Sequence, residues 1–213
     1  MAIKNIVKIW DEGEISEKNI KFLQSKTKEV TFPASTFINE IIKDLIDTYE
    51  VISCAGIAAN QIGYDYQIFI GMKKIIDESE SKKIEKMESS SSITTENPYK
   101  DNYEIYINPK IDKIDNKSIK IDEEGCLSIP GLLVGRERYD KIKVRYYDIN
   151  GKKNKMKLSG FLSKLFQHEL DHLNGILMID NIEKIENLYP LEASEENAKL
   201  YGSLYAKYRK LIK

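Results

Sequence analysis

Apolar residues recur at Phe37, Ile38, Ile41, Ile42, Leu45, Ile46 and Tyr49, the spacing of a helix with one buried face, and Pro33 with Ser35 or Thr36 supplies its start signal. A stripe of this kind packs against a core far more often than against a partner. Three later segments read as strands: Tyr66–Gly71, Tyr103–Ile107 and the alternating Lys141–Tyr147. The last runs into Asn150-Gly151, the pair favoured in a tight type I′ hairpin, with Lys155–Leu158 as the returning strand. A second helix is expected from near Ser159 to Asn174-Gly175, with Leu162, Phe166, Leu170 and Leu173 as its core stripe. A third begins around Ser194 and carries Leu200, Leu204, Tyr205, Tyr208 and Leu211.

Between these elements the pattern breaks once. From about residue 73 to 102 the chain turns charged and serine-rich, through Asp77–Ser81 and Ser89–Ser92, with little apolar periodicity. This predicts a polar surface insertion in a single domain spanning 1–213. The expected class is α+β, with antiparallel strands packed around one central helix and a further helix at the C-terminus.

Composition narrows the function classes. Of 213 residues 41% are hydrophobic and 31% charged, a globular balance. The formal net charge of −1 provides no overall field for nucleic acid, and no direct nucleic-acid site is evident, although local patches remain open. The first residues lack the apolar core of a signal peptide, and no run of about 18 apolar residues is present to span a bilayer. Cys54 and Cys126 are too few for a disulfide scaffold. A cytoplasmic protein without a membrane partner is the expectation.

The candidate chemistry lies on the second helix, in Gln167-His168-Glu169-Leu170-Asp171-His172. Residues four apart project from the same helical face, so both imidazoles can share one cation. Glu169 lies about 100° around the helix, placed to reach a water rather than the metal, which is the position of a general base. A lone His would be read as a surface or core residue, but the chain has two in all, both here. A catalytic metal needs a third protein ligand, for which Cys126 and the downstream Glu183, Glu186, Glu192, Glu195 and Glu196 are candidates. The carboxylate choice would make the site similar to that of a zinc metallopeptidase.

Two other segments are less decisive alone. Cys126 sits in Glu124-Gly125-Cys126-Leu127-Ser128, and a free Cys is commonly a small buried hydrophobe. Cys54-Ala55-Gly56-Ile57-Ala58-Ala59-Asn60-Gln61 is a small-residue run ending in an amide, a composition that a tight turn under a strand would also produce. Together with the helix, however, these stretches resemble the signatures of the peptide deformylase family: Gly-x-Gly-x-Ala-Ala-x-Gln, Glu-Gly-Cys-Leu-Ser and a Gln-His-Glu helix of HExxH form. Their order also agrees, and the resemblance extends to Asp180 apart from the polar insertion.

The resemblance implies a metal-dependent hydrolase that removes the formyl group from the N-terminal methionine of new proteins and releases formate. It implies metal ligands Cys126, His168 and His172, with Fe²⁺ as the native ion and Zn²⁺, Ni²⁺ or Co²⁺ able to occupy the site. Glu169 would move protons, while the Gln61 amide and the Leu127 backbone N–H would stabilise the oxyanion. Gly56, Ile57, Glu124 and Gly125 would border the substrate, and Phe161 and Leu165 would line its methionine pocket or else pack in the core. The partners implied are N-formyl-methionyl nascent peptides, with transient ribosome contact. The basic C-terminal end around Lys207, Arg209, Lys210 and Lys213 is a candidate for that contact, although a solvated helix face is the blander reading.

One departure bears on the first signature, where Cys54 stands in place of the first Gly. If that position needs a positive φ, the side chain costs on the order of 1 kcal/mol. Proximity of Cys54 to Cys126 would also let oxidation compete with metal binding. Glu124 and Arg138 are expected to form an ion pair bracing the ligand loop. The alternatives to a deformylase are an HExxH metallopeptidase, which leaves the upstream signatures unexplained, and an inactive deformylase-like binding protein.

Overall fold

Strand pairing in the computed structural model follows the alternation of the sequence and adds strands that the sequence does not advertise. The structure describes residues 3–11, 14–75, 96–180, 187–190 and 195–208. The main sheet contains β3 (Gly56–Ala58), β4 (Ile68–Met72), β5 (Tyr103–Ile114), β8 (Lys141–Tyr147) and β9 (Lys153–Ser159), in the order β3-β4-β5-β8-β9 with every pairing antiparallel. A second antiparallel sheet contains β6 (Ile119–Glu124), β7 (Leu132–Tyr139) and β10 (Leu188–Pro190), in the order β10-β7-β6. Two short strands near the start, β1 (Trp10–Asp11) and β2 (Glu14–Ile15), pair with each other.

The helices are α1 (Glu17–Leu23), α2 (Thr36–Tyr49), α3 (Phe161–Leu173) and α4 (Glu195–Tyr208). Ser35 caps α2 by accepting from the Ile38 N–H, as its sequence suggests. Of its apolar stripe Ile38, Ile42 and Tyr49 are buried, Ile46 is half-buried and Phe37 is exposed, while Ile41 and Leu45 are fully covered, each contributing about 1.5–3 kcal/mol of transfer free energy. Helix α1 was not legible in the N-terminal stretch, because its short run gives little periodicity; Ser16 caps it and Ile20 and Leu23 bury one side.

Helix α3 is the central element. Phe166 and Leu173 pack with Ile142, Val144, Tyr146 and Leu158 of the main sheet, while Phe161 and Leu165 join the core beneath α2. Leu162 and Leu170 of the expected stripe are only half-buried. The helix ends at Gly175, which has φ +73°, and a Cβ there would meet the Gln24 carbonyl oxygen at 2.4 Å. Only glycine fits both demands.

Two expectations are corrected. The hairpin between β8 and β9 is not a type I′ turn, since that form needs positive φ at both central residues, and among described non-glycine residues only Asn108 has one. Instead the Gly151 N–H donates to the Asp148 carbonyl and Gly151 takes φ +74°, an ordinary turn followed by a left-handed glycine. The Asp148 carboxylate accepts from the backbone N–H groups of Asn150 and Lys152 and holds that form. The polar insertion is also shorter than expected at its C-terminal side. Asn97 and Tyr99 are buried, and the Asn97 amide donates to the carbonyls of Tyr49 and Cys54. The serine-rich 76–95 lies outside the described residues.

Candidate metal centre

Three elements converge on one point. Strand β6 ends at Glu124 and delivers Gly125 and Cys126; α3 delivers His168 and His172; and a 3₁₀ turn after β3 (Ala59–Ile62) delivers Gln61. The two imidazole rings lie with centroids 5.0 Å apart. Cys126 Sγ is 3.2 Å from His172 Nε2, and the ligand atoms of Cys126, His168 and His172 all lie within 4.8 Å of one another. Glu183, Glu186 and Glu192 lie outside the described residues, as do the side chains of Glu195 and Glu196.

Gln61 is held from both ends of its amide. Its Oε1 accepts from the Ala58 N–H at 2.9 Å, while Nε2 faces Ser128 Oγ at 3.3 Å and Cys126 Sγ at 3.6 Å. Leu127 is half-buried, and its N–H makes no hydrogen bond among the described residues. Glu169 is buried and lies against the strand that carries Gly56: a Cβ on Gly56 would sit 2.7 Å from Glu169 Oε1 and 2.9 Å from Leu165 Cδ1. Any side chain at this position would push the Glu169 carboxylate and the Leu165 methyl aside. Ile57 is buried and paired with Ile70. Phe161 is farther along α3, with the Lys164 ammonium 5.2 Å from its ring centre.

The donor set itself tests whether a cation fits. A sulfur and an imidazole nitrogen aimed at each other across 3.2 Å are both electron-pair donors, and their convergence in a buried place is favourable with a cation or proton between them. One thiolate with two imidazoles suits Fe²⁺ or Zn²⁺. The family model for polypeptide deformylase matches residues 12–188. The chain belongs to the polypeptide deformylase family.

The peptide deformylase of Elusimicrobium minutum is 33% identical over 184 residues, 86% of this chain and 89% of that protein. Peptide deformylase 1 of Clostridium perfringens is 31% identical over 181 residues, 85% of this chain and 99% of that protein. The crystal structure of the Ehrlichia chaffeensis deformylase shares the fold with a TM-score of 0.65 and 24% identity, covering 99% of each chain.

Behind Cys126, His168 and His172 lies a buried charge network. The Arg138 guanidinium grips Glu124 in a fork, Nε to Oε1 at 2.5 Å and Nη2 to Oε2 at 2.8 Å, and reaches Asp171 Oδ2 through Nη1 at 2.7 Å. Glu124 Oε2 also lies 3.0 Å from His168 Nδ1, leaving the Nε2 edge of that ring for a ligand bond. Burial alone would push the Glu124 carboxyl up, but the Arg138 charge and hydrogen bonds, with His168, hold it well below the ordinary carboxylate range. For His168 burial opposes protonation, and contacts with Cys126 and Glu124 override it and raise its proton affinity. His172 is held neutral by burial and by the neighbouring His168.

The Glu124–Arg138 pair expected from the sequence is present, and Asp171 of the helix motif is its third member, which the motif itself does not announce. Asn60 and Ser128 likewise have roles that the motifs alone do not announce. The Asn60 amide donates to the His172 carbonyl at 2.7 Å, and Ser128 braces Gln61. Their polarity amid apolar neighbours was the available signal. Cys54 carries no strain, since its φ is not positive, and it packs in the α2 core whereas Cys126 packs with the second sheet.

Proposed function

We propose that the chain uses Cys126, His168 and His172 as metal ligands and Glu169, Gln61 and Leu127 as its working groups when it removes the formyl group from the N-terminal methionine of newly made chains. Support comes above all from the meeting of a cysteine thiol, two imidazoles, a buried carboxylate and a pinned amide at one point. A divalent cation held by that donor set would lower the pKa of water and polarise the formyl carbonyl. The resemblance to the family favours Fe²⁺ as the native ion.

Glu169 takes the proton of the attacking water and later returns it to the amine. The water oxygen adds to the formyl carbon, the carbon–nitrogen bond breaks, and formate leaves while the amine of methionine gains the proton. Burial of Glu169 strengthens each of its interactions by excluding solvent. Gln61 donates through Nε2 to the oxygen that gains charge, and it costs no reorganisation because Ala58 already holds its other end. The Leu127 N–H supplies a second donor to the same oxygen.

Gly56 and Ile57 border the peptide on one side and Gly125, with the backbone of Glu124, on the other, so that the substrate backbone adds as a strand; the Glu124 carboxylate itself is turned away to Arg138 and His168. Leu165, against Gly56, and Phe161 supply apolar lining for the methionine side chain. The formyl carbon bears only hydrogen, so it enters a confined site that a bulkier acyl group would not. The single-domain reading of 1–213, a cytoplasmic location and transient ribosome contact belong to the same proposal. No helix among the described residues is long and apolar enough to cross a membrane. Of the C-terminal residues expected to touch the ribosome, Arg209, Lys210 and Lys213 lie outside the described ones, as does the side chain of Lys207.

Cys126 beside the histidines favours a deformylase over an HExxH metallopeptidase, and the presence of Glu169 favours an active protein over a binding homologue. The test is anaerobic formate release from formyl-Met-Ala-Ser by Fe²⁺- or Ni²⁺-loaded protein. Release that is lost in Glu169→Ala at unchanged metal content is expected. Absence of release at full metal loading would overturn the reading.

A further inference from the structure

The main sheet has two faces of opposite character. Its inner face carries Ile142, Val144, Tyr146 and Leu158 against α3. Its outer face at the β5–β8–β9 end carries cations. Along β8 the exposed positions are Lys141 and Lys143, followed by the half-buried Arg145, and along β9 they are Lys153, Lys155 and Lys157. Register sets like charges directly opposite: Lys143 faces Lys157 on one side and Lys113 of β5 on the other, and Arg145 faces Lys155 and Lys110.

Directly opposed like charges destabilise a sheet, and alternation along a strand would as easily have placed Glu or Thr there. Few acids answer them. Glu29 pairs with Lys110 and Asp112 with Arg145. Lys113, Lys143, Lys153, Lys155 and Lys157 have no ion pair among the described residues. Asp115, the acid at the β5 end, has Oδ1 accepting from the Lys117 N–H within its own turn. Two concavities flank the ladder, one of about 670 Å³ at the sheet end, where Lys113, Lys117, Lys143 and Lys157 surround Ile142 and Leu158, and one of about 510 Å³ where Lys110, Arg145 and Lys153 stand with Phe32 and Tyr147.

We propose that this outer face binds the phosphate backbone of duplex RNA. Cations on alternate residues of a strand lie about 6.8 Å apart and those on neighbouring strands about 4.8 Å apart, which makes a two-dimensional grid of positive charge. A polyanion with regularly repeated phosphates complements such a grid, whereas an acidic peptide segment complements at most one row. Among the described residues no aromatic side chain stands within the rows Lys113–Lys143–Lys157 and Lys110–Arg145–Lys155; Tyr147 and Phe32, which share the smaller concavity with Lys110, Arg145 and Lys153, turn to each other with ring centres 5.3 Å apart. Single strands are held by stacking bases on aromatics, so contacts here go to a backbone whose bases are already paired. The choice of RNA over DNA rests on the proposed nascent-chain substrate, which exists where RNA is translated. The sheet separates the two sites, leaving the metal centre open while the outer face is engaged.

These lysines are scattered over 110–157 and diluted by a net charge of −1, so no nucleic-acid site is legible along the sequence. Only strand pairing brings them together. The test uses the metal-loaded full chain and a fluorescent RNA duplex of about 16 base pairs, read by anisotropy over a range of KCl. Binding should weaken with salt, and the combined Lys113→Gln, Lys143→Gln and Lys157→Gln variant should bind at least tenfold more weakly, with the slope of log affinity against log salt reduced by about 3. Formate release from a short formyl peptide should not change in that variant, so the RNA measurement stands apart from the proposed catalysis. A control removing Lys18, Lys21 and Lys26, exposed on and after α1, should bind RNA as the parent does. No salt-dependent binding, an equal loss in the control, tighter binding to a DNA duplex, or lysine-dependent binding to phosphatidylserine vesicles in place of RNA would each overturn the proposal.

Discussion

The charges behind the metal centre and those on the outer face of the main sheet obey opposite rules. Glu124, Arg138, Asp171 and His168 are withdrawn from water, and each meets an opposite or hydrogen-bonding partner at 2.5 to 3.0 Å. On β8 and β9, Lys143 stays in water opposite Lys157, and Lys155 opposite Arg145. Removing a charge from water costs several kcal/mol per ion, so a buried group must be paired by the fold, whereas an exposed lysine is screened by solvent and salt and can be left unanswered. Geometry is therefore strict in the first region and permissive in the second.

The largest break in that comparison is Arg138→Leu. It strands Glu124 as an unpaired buried carboxylate and should destabilise the fold by about 3–5 kcal/mol, read from urea unfolding of the metal-loaded protein. A loss below about 1 kcal/mol would mean that the pair behaves like a surface one. Glu124→Gln keeps the shape and removes the charge that orients His168. Metal affinity should fall about 10–100-fold, measured by competition with a chelator, while the backbone fold survives.

The pH dependence follows from the same groups. Glu124 is depressed in the fold, so its contribution is complete above its ordinary value of 4.5 and is lost as the pH falls through its lower folded value. His168 in the metal-free protein is raised above its ordinary 6.5, so its contribution is complete below 6.5 and is lost as the pH rises through the raised value. A cation needs the unprotonated ring and displaces that proton. The rise in unfolding temperature on adding Ni²⁺ should accordingly grow from pH 6 to pH 8, and an increment independent of pH would count against a protonated His168.

On the outer face the expected effects are smaller and reversed in sign. Lys143→Glu places an acid between Lys113 and Lys157 and should stabilise by about 0.2–1 kcal/mol, an advantage that disappears in high salt. Lys120→Ala removes the pair of an exposed lysine with the half-buried Asp140 and should shift the stability by less than about 1 kcal/mol, read from the urea unfolding midpoint.

Much of the fold could be anticipated from the sequence. The period of α2, the cap at Ser35 and the stop at Gly175 are local signals written in neighbouring residues, and the structure keeps all three. The second sheet was not anticipated. Residues 119–124 and 132–139 mix charges with single apolar positions, because Glu124 and Arg138 are buried as a pair and an apolar pattern cannot announce a buried ion pair.

The metal helix lay between these extremes. His168, Glu169 and His172 could be assigned to one cation from spacing, since a helix turns by a known angle per residue. Their third partner could not be chosen from spacing: Cys126 and the downstream carboxylates were equal candidates until β6 brought the thiol within 3.2 Å of His172. The same division holds for the lysines. Local sequence determined which residues carry charge and which side of each strand they occupy, because both depend on nearest neighbours. Tertiary structure alone decided that one set of charges would be paired in the dry interior and another aligned across three strands, because pairing and register join residues far apart in the chain.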